Sequence, residues 1–215
     1  MASHAPLGMP PPAVLWVVAD VVGGCVVSAL WLDQALAEAL HRLGETPIIR
    51  LAGWTTHLGQ TSVCLVGSAL AYAIFRFTGN RRRAGQALFV LLAVGLSSML
   101  TLTLKVLAGR ARPKLLFDEG IVAFTPFQFG HDVNSFPSGH ATATAAVAVA
   151  LAMIAPAHRD LCLAVGLMLV STRVIVQDHY LSDVIAGIAV GIATVHLLSA
   201  ALASQGVSLR SPEVM

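Results

Sequence analysis

The segment Ser135-Phe136-Pro137-Ser138-Gly139-His140, followed by the small apolar residues 141–157, is the part of the sequence around which the predicted fold is organised. Pro, Ser and Gly directly before a long apolar run are typical of a helix N-terminus, whose free backbone N–H groups bind anions. His140 is predicted in the first turn of this helix. If the helix crosses a bilayer, the anion site lies at the membrane surface.

The composition is that of an integral membrane protein. The 215 residues are 56% hydrophobic and 11% charged, with a mean hydropathy of +0.78, whereas soluble domains carry about 25% charged residues. No repeat or linker divides the chain, so we expect one domain over residues 1–215, an all-α bundle of six transmembrane helices. The six apolar stretches that span a bilayer, or nearly do, are residues 13–32, 58–75, 87–104, 141–157, 161–177 and 184–203.

Charge and cysteine usage argue against other classes. The net charge of +2 is small and no basic run is interleaved with aromatic residues, so nucleic acid is not an expected partner. Cys25, Cys64 and Cys162 lie in three different apolar stretches, where packing as small hydrophobes is the expected role. Residues 1–12 carry no Lys or Arg, which favours a retained first span over a cleaved signal peptide.

Two polar features accompany the first span. Asp20 lies inside it, and local hydrogen bonding near the headgroups is favoured over a functional role. Residues 33–57 mix apolar and charged residues and are broken at Gly44 and Pro47, which predicts short amphipathic helices in the interface between the first two spans. Such helices would cover the bundle, and lateral entry of lipid is the alternative.

The distribution of arginines suggests an orientation. Arg81, Arg82 and Arg83, with Arg76 just before them, fall in a short predicted loop, and basic loops favour the cytoplasmic side. Both termini would then be cytoplasmic and the segment 135–140 would face outward. The total count of Lys and Arg favours this topology only if Lys105, Arg112 and Arg173 are set aside as functional residues.

Two further segments bear on helix contacts and membrane contact. The long loop 109–139 contains five of the eight phenylalanines, a composition suited to anchoring at lipid headgroups or lining a lipid tail. Gly187 and Gly191 form a GxxxG spacing in the last span, which predicts close contact with the alanine-rich fourth span; dimerisation is the alternative.

Three separate segments are predicted to end on the same outer face. They are residues 105–113 after the third span, residues 137–140, and the region from Arg173 to Asp183 between the fifth and sixth spans. Cations inside or beside an apolar span are costly unless they have partners. Together the cations, histidines, serine hydroxyl and helix N-terminus describe a phosphate site.

The same residue types suit phosphoryl transfer. Positioned cations and N–H donors stabilise the charge of the transferring group, and no cluster of acidic or His/Cys residues predicts a metal, so no metal and no cofactor is expected. One histidine would attack phosphorus and another would protonate the leaving oxygen. Asp183, four residues after His179, is positioned to meet it on one helical turn and to hold its tautomer.

These residues resemble the signature of the type 2 phosphatidic acid phosphatase superfamily, whose active site is like that of vanadium haloperoxidases. Lys-x6-Arg-Pro corresponds to residues 105–113, Pro-Ser-Gly-His to residues 137–140, and Ser-Arg-x5-His-x3-Asp to residues 172–183, with Thr172 replacing serine. The resemblance covers the core motifs at 105–183. It implies a six-helix bundle, metal-independent turnover and a periplasmic active site in a bacterial inner membrane.

The resemblance also implies roles. His179 would be the nucleophile that forms a phosphohistidine, Asp183 would orient it, and His140 would be the general acid that later activates water. The phosphate pocket would consist of Lys105, Arg112, Ser138, Gly139 and Arg173.

Several other polar residues receive simpler interpretations. Asp118, Glu119, His131 and Asp132 are expected as solvated loop charges. His196 is expected as a buried, hydrogen-bonded histidine between helices or as one lining a polar patch. Asp178 would either orient Arg173 or cap the last helix, and the sequence does not choose between these roles.

The leading hypothesis is a membrane lipid phosphatase that cleaves a terminal phosphate from a lipid phosphate or diphosphate. Undecaprenyl diphosphate, phosphatidylglycerol phosphate, phosphatidate and the 1-phosphate of lipid A all fit the motifs, because these motifs recognise phosphate rather than the group behind it. A lipid phosphotransferase of the same superfamily is an alternative, and an anion transporter is a weaker one. The sequence does not predict an oligomeric state.

Overall fold

The computed structural model describes residues 11–207 and 209, and within them the chain is helical apart from turns, loops and one isolated antiparallel bridge between Arg110 and Phe124. The helical elements, in chain order, are α1 (Pro11–Val27), a π-helical turn (Ser28–Leu32), α2 (Asp33–Leu43), α3 (Pro47–Thr55), a 3-10 turn (Thr56–Gly59), α4 (Thr61–Phe77), α5 (Arg81–Ala108), α6 (Pro113–Glu119), α7 (Gly139–Ile154), a 3-10 turn (Pro156–His158), α8 (Arg159–Ile175) and α9 (Leu181–Ser204).

The six predicted apolar stretches coincide with α1 and its π-helical turn, α4, α5, α7, α8 and α9. Among the described residues, three helical runs are long and apolar enough to cross a membrane: Leu15–Leu43, Arg81–Ala108 and Leu181–Ser204. A fourth is added if Pro47–Gly59 and Thr61–Phe77, which meet at a 45° bend, form one span. The all-helical membrane fold is therefore confirmed, and the number of six spans stays a prediction.

Helix α7 lies at the centre of the bundle. Its residues 141–146 are buried without interruption, so neighbouring helices cover it on every side. Ala143, Ala146 and Ala150 pack with Phe89 of α5 and Val195 of α9 in the main core. Because alanine side chains are small, the neighbouring helices approach α7 closely and hold its N-terminus in a fixed position.

Contact between α7 and α9 depends on the two glycines of α9. A Cβ atom added at Gly187 would lie 2.5 Å from the backbone oxygen of Ser138, and one at Gly191 would lie 2.5 Å from that of Thr142. The predicted close contact between the fourth and sixth spans is thus confirmed. Both glycines face α7, so their spacing serves this contact inside the chain rather than a dimer interface.

The first helix differs from the sequence-based prediction. The sequence predicts a separate interfacial helix after the first span, but α2 continues α1 through the π-helical turn, and Leu15–Leu43 forms one helical run. The run ends where predicted, at Gly44, whose φ of +58° favours glycine. Thr46 then caps α3, its hydroxyl accepting a hydrogen bond from the N–H of Ile49.

The predicted basic loop is also shorter than expected. Arg81, Arg82 and Arg83 form the first turn of α5, because the side chain of Asn80 accepts a hydrogen bond from the N–H of Arg83 and starts the helix there. Only residues 78–80 separate α4 from α5, with Gly79 at a φ of +77°.

The outer faces of the helices are apolar, as a bilayer requires. Trp16, Leu102 and Leu167 are each more than 60% exposed. Asp20 lies on the exposed side of α1. The three cysteines are half-buried free thiols, consistent with the predicted role as small hydrophobes.

Candidate active site

The C-terminal ends of α5 and α8 and the N-terminal ends of α7 and α9 meet at one end of the bundle. Lys105, in the last turn of α5, joins it to the segment before α7: its Nζ donates to the backbone oxygens of Asn134 at 2.6 Å and Ser135 at 3.3 Å. Gly139, at the start of α7, lies beside the same side chain, since a Cβ there would be 3.8 Å from Lys105 Cε. Two of the three predicted segments are therefore in direct contact.

Arg112 connects the loop after α5 to the third segment. Its Nε donates to the backbone oxygen of His131 and its Nη1 to that of Asp178, both at 2.8 Å. Nη1 also lies 3.3 Å from Nε2 of His179. The sharp turn before it needs Gly109, whose φ is +57° and where a Cβ would overlap the backbone of Thr125.

Arg173, in the last turn of α8, is buried and held at two points. Its Nη1 donates to Thr56 Oγ1 at 2.8 Å, and its Nη2 to Asp178 Oδ2 at 2.5 Å. Of the two roles considered for Asp178, the structure therefore supports orientation of Arg173. Thr172, the position that departs from the motif, donates its hydroxyl to the backbone oxygen of Leu169 within α8.

His179 lies in the connection between α8 and α9 and is 3% exposed. Its Nδ1 is 3.2 Å from Ser135 Oγ and 3.5 Å from Asp183 Oδ2. Ser135 in turn donates its hydroxyl hydrogen to Asp183 Oδ2 at 2.5 Å. The Asp183 carboxylate can only accept hydrogen bonds, and the Ser135 hydroxyl already donates its proton to it. This arrangement therefore favours a proton on Nδ1 of His179 and a lone pair on Nε2.

Burial lowers the pKa of His179 to about 3, with Asp183 opposing this shift and Arg112 adding to it. The imidazole is therefore neutral near pH 7. A neutral imidazole, with Nε2 turned toward the Arg112 guanidinium, can act as a nucleophile toward a phosphorus atom bound between the cations.

The N-terminus of α7 forms the opposite part of the site. The hydroxyl of Ser138 accepts a hydrogen bond from the N–H of Ala141 at 3.4 Å, and the N–H of Ser138 donates to the backbone oxygen of Asp183. Within the described part of the chain, the N–H groups of Gly139 and His140 have no hydrogen-bond acceptor, so both can bind an anion. Ser138 therefore caps the helix, with its side chain fully buried.

His140 has a ring nitrogen without a partner. Its Nε2 is buried and makes no hydrogen bond to any other described residue. Buried polar atoms are nearly always paired in native proteins, so an unpaired one is typical of a position that a substrate or water completes.

The structure therefore brings all the sequence-predicted site residues to one end of the bundle. In residues 11–207 and 209, no group of three His, Cys, Asp or Glu side chains is arranged to hold a metal ion. The predicted site residues found together there are Lys105, Arg112, Ser138, Gly139, His140, Arg173, His179 and Asp183.

The residues that support Asp183 from behind lie outside the three sequence motifs. Arg110, inside the segment 105–113 but outside its motif positions, is 4% exposed and bonds to Asp183. Asp33, which the sequence predicts in an interfacial helix, is 2% exposed and bonds to Arg110. Ser182 contacts both of them. The sequence indicates their role only weakly. Arg110 lies two residues before a motif arginine, and Asp33 directly follows an apolar span.

The remaining predicted polar residues are peripheral. His131, Asp132 and Lys114 form an exposed cluster, with Asp132 within 2.9 Å of His131 and 3.3 Å of Lys114. Asp118 and Glu119 are exposed, as expected for loop charges. His196 is half-buried, and no hydrogen bond to its ring is found in the described ranges, so the expectation of a buried, hydrogen-bonded histidine is wrong.

Comparison with known proteins gives a family from the sequence and a similar fold from the structure. The family described as the PAP2 superfamily matches residues 86–205. The chain is 34% identical to a lipid A 1-phosphatase of Rhizobium johnstonii, over 86% of this chain and 79% of the relative, and 34% identical to one of Rhizobium etli, over 77% of each. Its fold is similar to that of a transmembrane PAP2-type phosphatidylglycerolphosphate phosphatase from Bacillus subtilis, with a TM-score of 0.63 and 20% identity over 88% of this chain and 96% of that one.

Proposed function

The chain belongs to the PAP2 superfamily and is a membrane phosphatase acting in lipid metabolism, and from this premise we propose that it removes the 1-phosphate from lipid A or a lipid A precursor. The observation that carries the proposal is the 34% identity to lipid A 1-phosphatases over most of the length of both chains. The likeness to the phosphatidylglycerolphosphate phosphatase supports the fold alone, because the identity is 20%.

The proposed reaction has two steps. In the first, Nε2 of His179 attacks phosphorus, a P–N bond forms, the P–O bond to the lipid breaks, and His140 donates a proton to the leaving oxygen. In the second, His140 takes a proton from water, the water oxygen attacks phosphorus, and the P–N bond breaks to release phosphate. The neutral state of His179 supports its role as the nucleophile, and the unpaired Nε2 of His140 supports a contact between His140 and the substrate.

The phosphate pocket is proposed to consist of the three cations and the start of α7. Lys105, Arg112 and Arg173 supply positive charge that balances the oxygens of the transferring group, and the N–H groups of Gly139 and His140 supply donors. Lys105 and Arg112 are already hydrogen-bonded to backbone oxygens, so they are held in place before the substrate binds. For Ser138 we propose a supporting role, because its buried hydroxyl caps the helix that presents these donors.

A cavity beside α3, lined by both polar and apolar side chains, supports a substrate with a sugar headgroup. It has a volume of about 650 Å³ and is lined by Arg50, Trp54 and His57, among others. Thr56, the chain neighbour of the lining residue His57, accepts a hydrogen bond from Arg173. An exposed indole suits contact with a sugar ring, and an arginine suits a second phosphate.

The proposed topology places both termini in the cytoplasm and the site at the periplasmic face, with six spans in a bacterial inner membrane. The burial of Arg110 in ion pairs supports it, because a buried and paired arginine does not count among the exposed loop charges. The remaining outer cations would be Arg42, Arg50 and Lys114, against the inner Arg76, Arg81, Arg82, Arg83, Arg159 and Arg210.

The test is phosphate release by the purified protein from a panel of lipids. We expect the largest kcat/KM for lipid A carrying a 1-phosphate, with smaller values for phosphatidate, phosphatidylglycerol phosphate and undecaprenyl diphosphate. Trp54→Ala should raise KM for the glycolipid and leave KM for phosphatidate unchanged. A higher kcat/KM for phosphatidate or undecaprenyl diphosphate than for lipid A would refute the proposed substrate.

Two additions test the mechanism in the same assay. Chelators should have little effect because the cations stabilise the phosphoryl group, and vanadate should inhibit because it mimics the five-coordinate phosphorus. Strict dependence on added Mg²⁺ would contradict the mechanism.

A competing alcohol in the same assay separates hydrolysis from phosphotransfer. We expect free phosphate as the product. A phosphorylated acceptor as the main product would instead identify a lipid phosphotransferase.

A further inference from the structure

A buried ion-pair network lies behind Asp183, on the side away from the phosphate pocket. Arg110 donates from Nη1 to Asp183 Oδ1 at 2.5 Å and from Nη2 to Asp33 Oδ2 at 2.7 Å. All three side chains are 5% exposed or less. One guanidinium therefore connects the first helical run to the acid that contacts His179.

Two aromatic rings and a serine further restrict the position of Arg110. Its guanidinium lies 4.4 Å from the ring centre of Tyr180 and 5.2 Å from that of Phe124. Nη1 also donates to Ser182 Oγ at 2.6 Å. A planar fork held between two rings can serve two carboxylates at once, which the single point charge of a lysine cannot do.

Asp33 is equally well held, and no polar atom of its side chain is unused. Its Oδ1 accepts from Ser28 Oγ at 2.8 Å and from the N–H of Ser182 at 3.0 Å, and its Oδ2 accepts from Ser182 Oγ and Arg110. Ser182 lies in the first turn of α9, directly before Asp183. Asp33 therefore fixes both the arginine and the turn of helix that carries the acid.

The charges in this network do not cancel. Two carboxylates share one guanidinium, so Arg110 neutralises Asp183 only in part. The carboxylate oxygen of Asp183 that does not contact Arg110 accepts from Ser135 and from the N–H of Tyr180, and it faces Nδ1 of His179. A residual negative charge at this oxygen stabilises the positive charge that His179 acquires when it attacks phosphorus.

We propose that Asp33 and Arg110 are positioning residues for the phosphoryl-transfer reaction. They fix the orientation of Asp183 and keep it ionised, so that His179 presents Nε2 to phosphorus. The inference rests on the proposed function, since it concerns the same site. It adds a part of the chain, the first helical run, that none of the three motifs includes.

The experiment compares Asp33→Asn with wild type in kcat, KM and vanadate inhibition. Outer residues that orient a reacting group typically contribute about 10–100-fold. We expect kcat to fall by roughly that factor, while KM and the vanadate inhibition constant stay within about threefold because the pocket cations are untouched. Glu38→Gln is the matched control, because it removes the acid of an exposed ion pair on the same helix, α2.

A second background shows whether Asp33 acts through Asp183. If it does, Asp33→Asn should add less than about threefold to the loss already caused by Asp183→Asn, because residues acting as one unit are not additive. A full multiplicative loss in that background would overturn the inference. So would an unchanged kcat in folded Asp33→Asn, or a loss seen mainly in KM and vanadate binding.

Two measurements separate this inference from folding and from the proposed function. Thermal melting shows whether each variant is folded. If Asp33→Asn is not folded, Ser182→Ala is measured instead, and we expect a smaller loss in its kcat, about threefold to tenfold. An unchanged kcat in Ser182→Ala would then contradict the inference. Wild-type protein that releases phosphate from no lipid would refute the proposed function, and this inference with it. If the wild type is active and folded Asp33→Asn has the same kcat, this inference is refuted but the proposed function is not.

Discussion

Arg110 and Arg112 are separated by a single residue, carry the same charge and are both buried, yet they belong to different parts of the site. Arg112 lies beside Nε2 of His179, on the side where phosphate is proposed to bind. Arg110 points the other way, to Asp183 and Asp33. Their partners distinguish them: Arg112 contacts the proposed phosphate pocket, and Arg110 supports the acid.

The two sides of the site also differ in their balance of charge. The pocket side carries an excess of cations, Lys105, Arg112 and Arg173, with Asp178 as a partial partner. The supporting side carries an excess of carboxylates, Asp33 and Asp183, around one arginine. His179 lies between the two sides, with one nitrogen facing each. This polarity is what an imidazole needs to act as a nucleophile toward an anion.

The largest effect on activity is expected when His179, which lies between the two sides, is removed. His179→Ala should reduce phosphate release by roughly 10³-fold or more, because the covalent step is lost. A labelled lipid phosphate should give an acid-labile phosphoenzyme in wild type and none in this variant. His140→Ala should be similarly impaired. His196→Ala serves as the control, since that histidine is half-buried in α9 outside the site; substantial activity in His179→Ala would exclude it as the nucleophile.

The next effect distinguishes the two arginines directly. Arg112→Lys should weaken vanadate inhibition and raise KM by about tenfold, because a lysine loses the paired N–H geometry that suits phosphate. Arg110→Lys should instead lower kcat by about 10–100-fold with little change in KM. Steady-state kinetics of both variants provides the measurement. The same pattern in the two variants would mean that the proposed division between pocket and support is wrong.

A smaller effect concerns stability against pH. The pKa of His179 is lowered to about 3 by burial, whereas an unfolded histidine titrates near 6.5. Between these values the unfolded chain binds the extra proton, so stability is complete above about pH 6.5 and falls as the pH drops, by about 1.4 kcal/mol per unit. Melting temperatures at pH 7.5 and 5.5 should therefore fall less in His179→Gln than in wild type. Equal falls would contradict the neutral, buried state of His179.

The smallest effect is expected outside both sides. Lys114 is exposed and pairs with Asp132 on the loop surface. Lys114→Ala should change kcat/KM by less than about twofold, since exposed ion pairs contribute little. A larger loss, measured in the same lipid assay, would extend the phosphate pocket to the loop surface.

The pocket side was largely predictable from the sequence, and the supporting side was not. Lys105, Arg112, His140 and His179 stand in three short segments whose spacing is specific, and each segment adjoins an apolar stretch that indicates where it ends. Asp33 lies 150 residues before Asp183, in a segment whose pattern is that of an ordinary interfacial helix. Pairwise contact over that distance depends on how helices are arranged.

Hydropathy, helix start signals and three motifs were thus sufficient for the helical membrane fold, the family resemblance and the candidate residues, because these are properties of neighbouring residues along the chain. Which nitrogen of His179 faces which charge, and which carboxylates share Arg110, were decided only when α2 came to lie against the start of α9. Burial stabilises these particular contacts, since a charge removed from water needs a partner within hydrogen-bond distance.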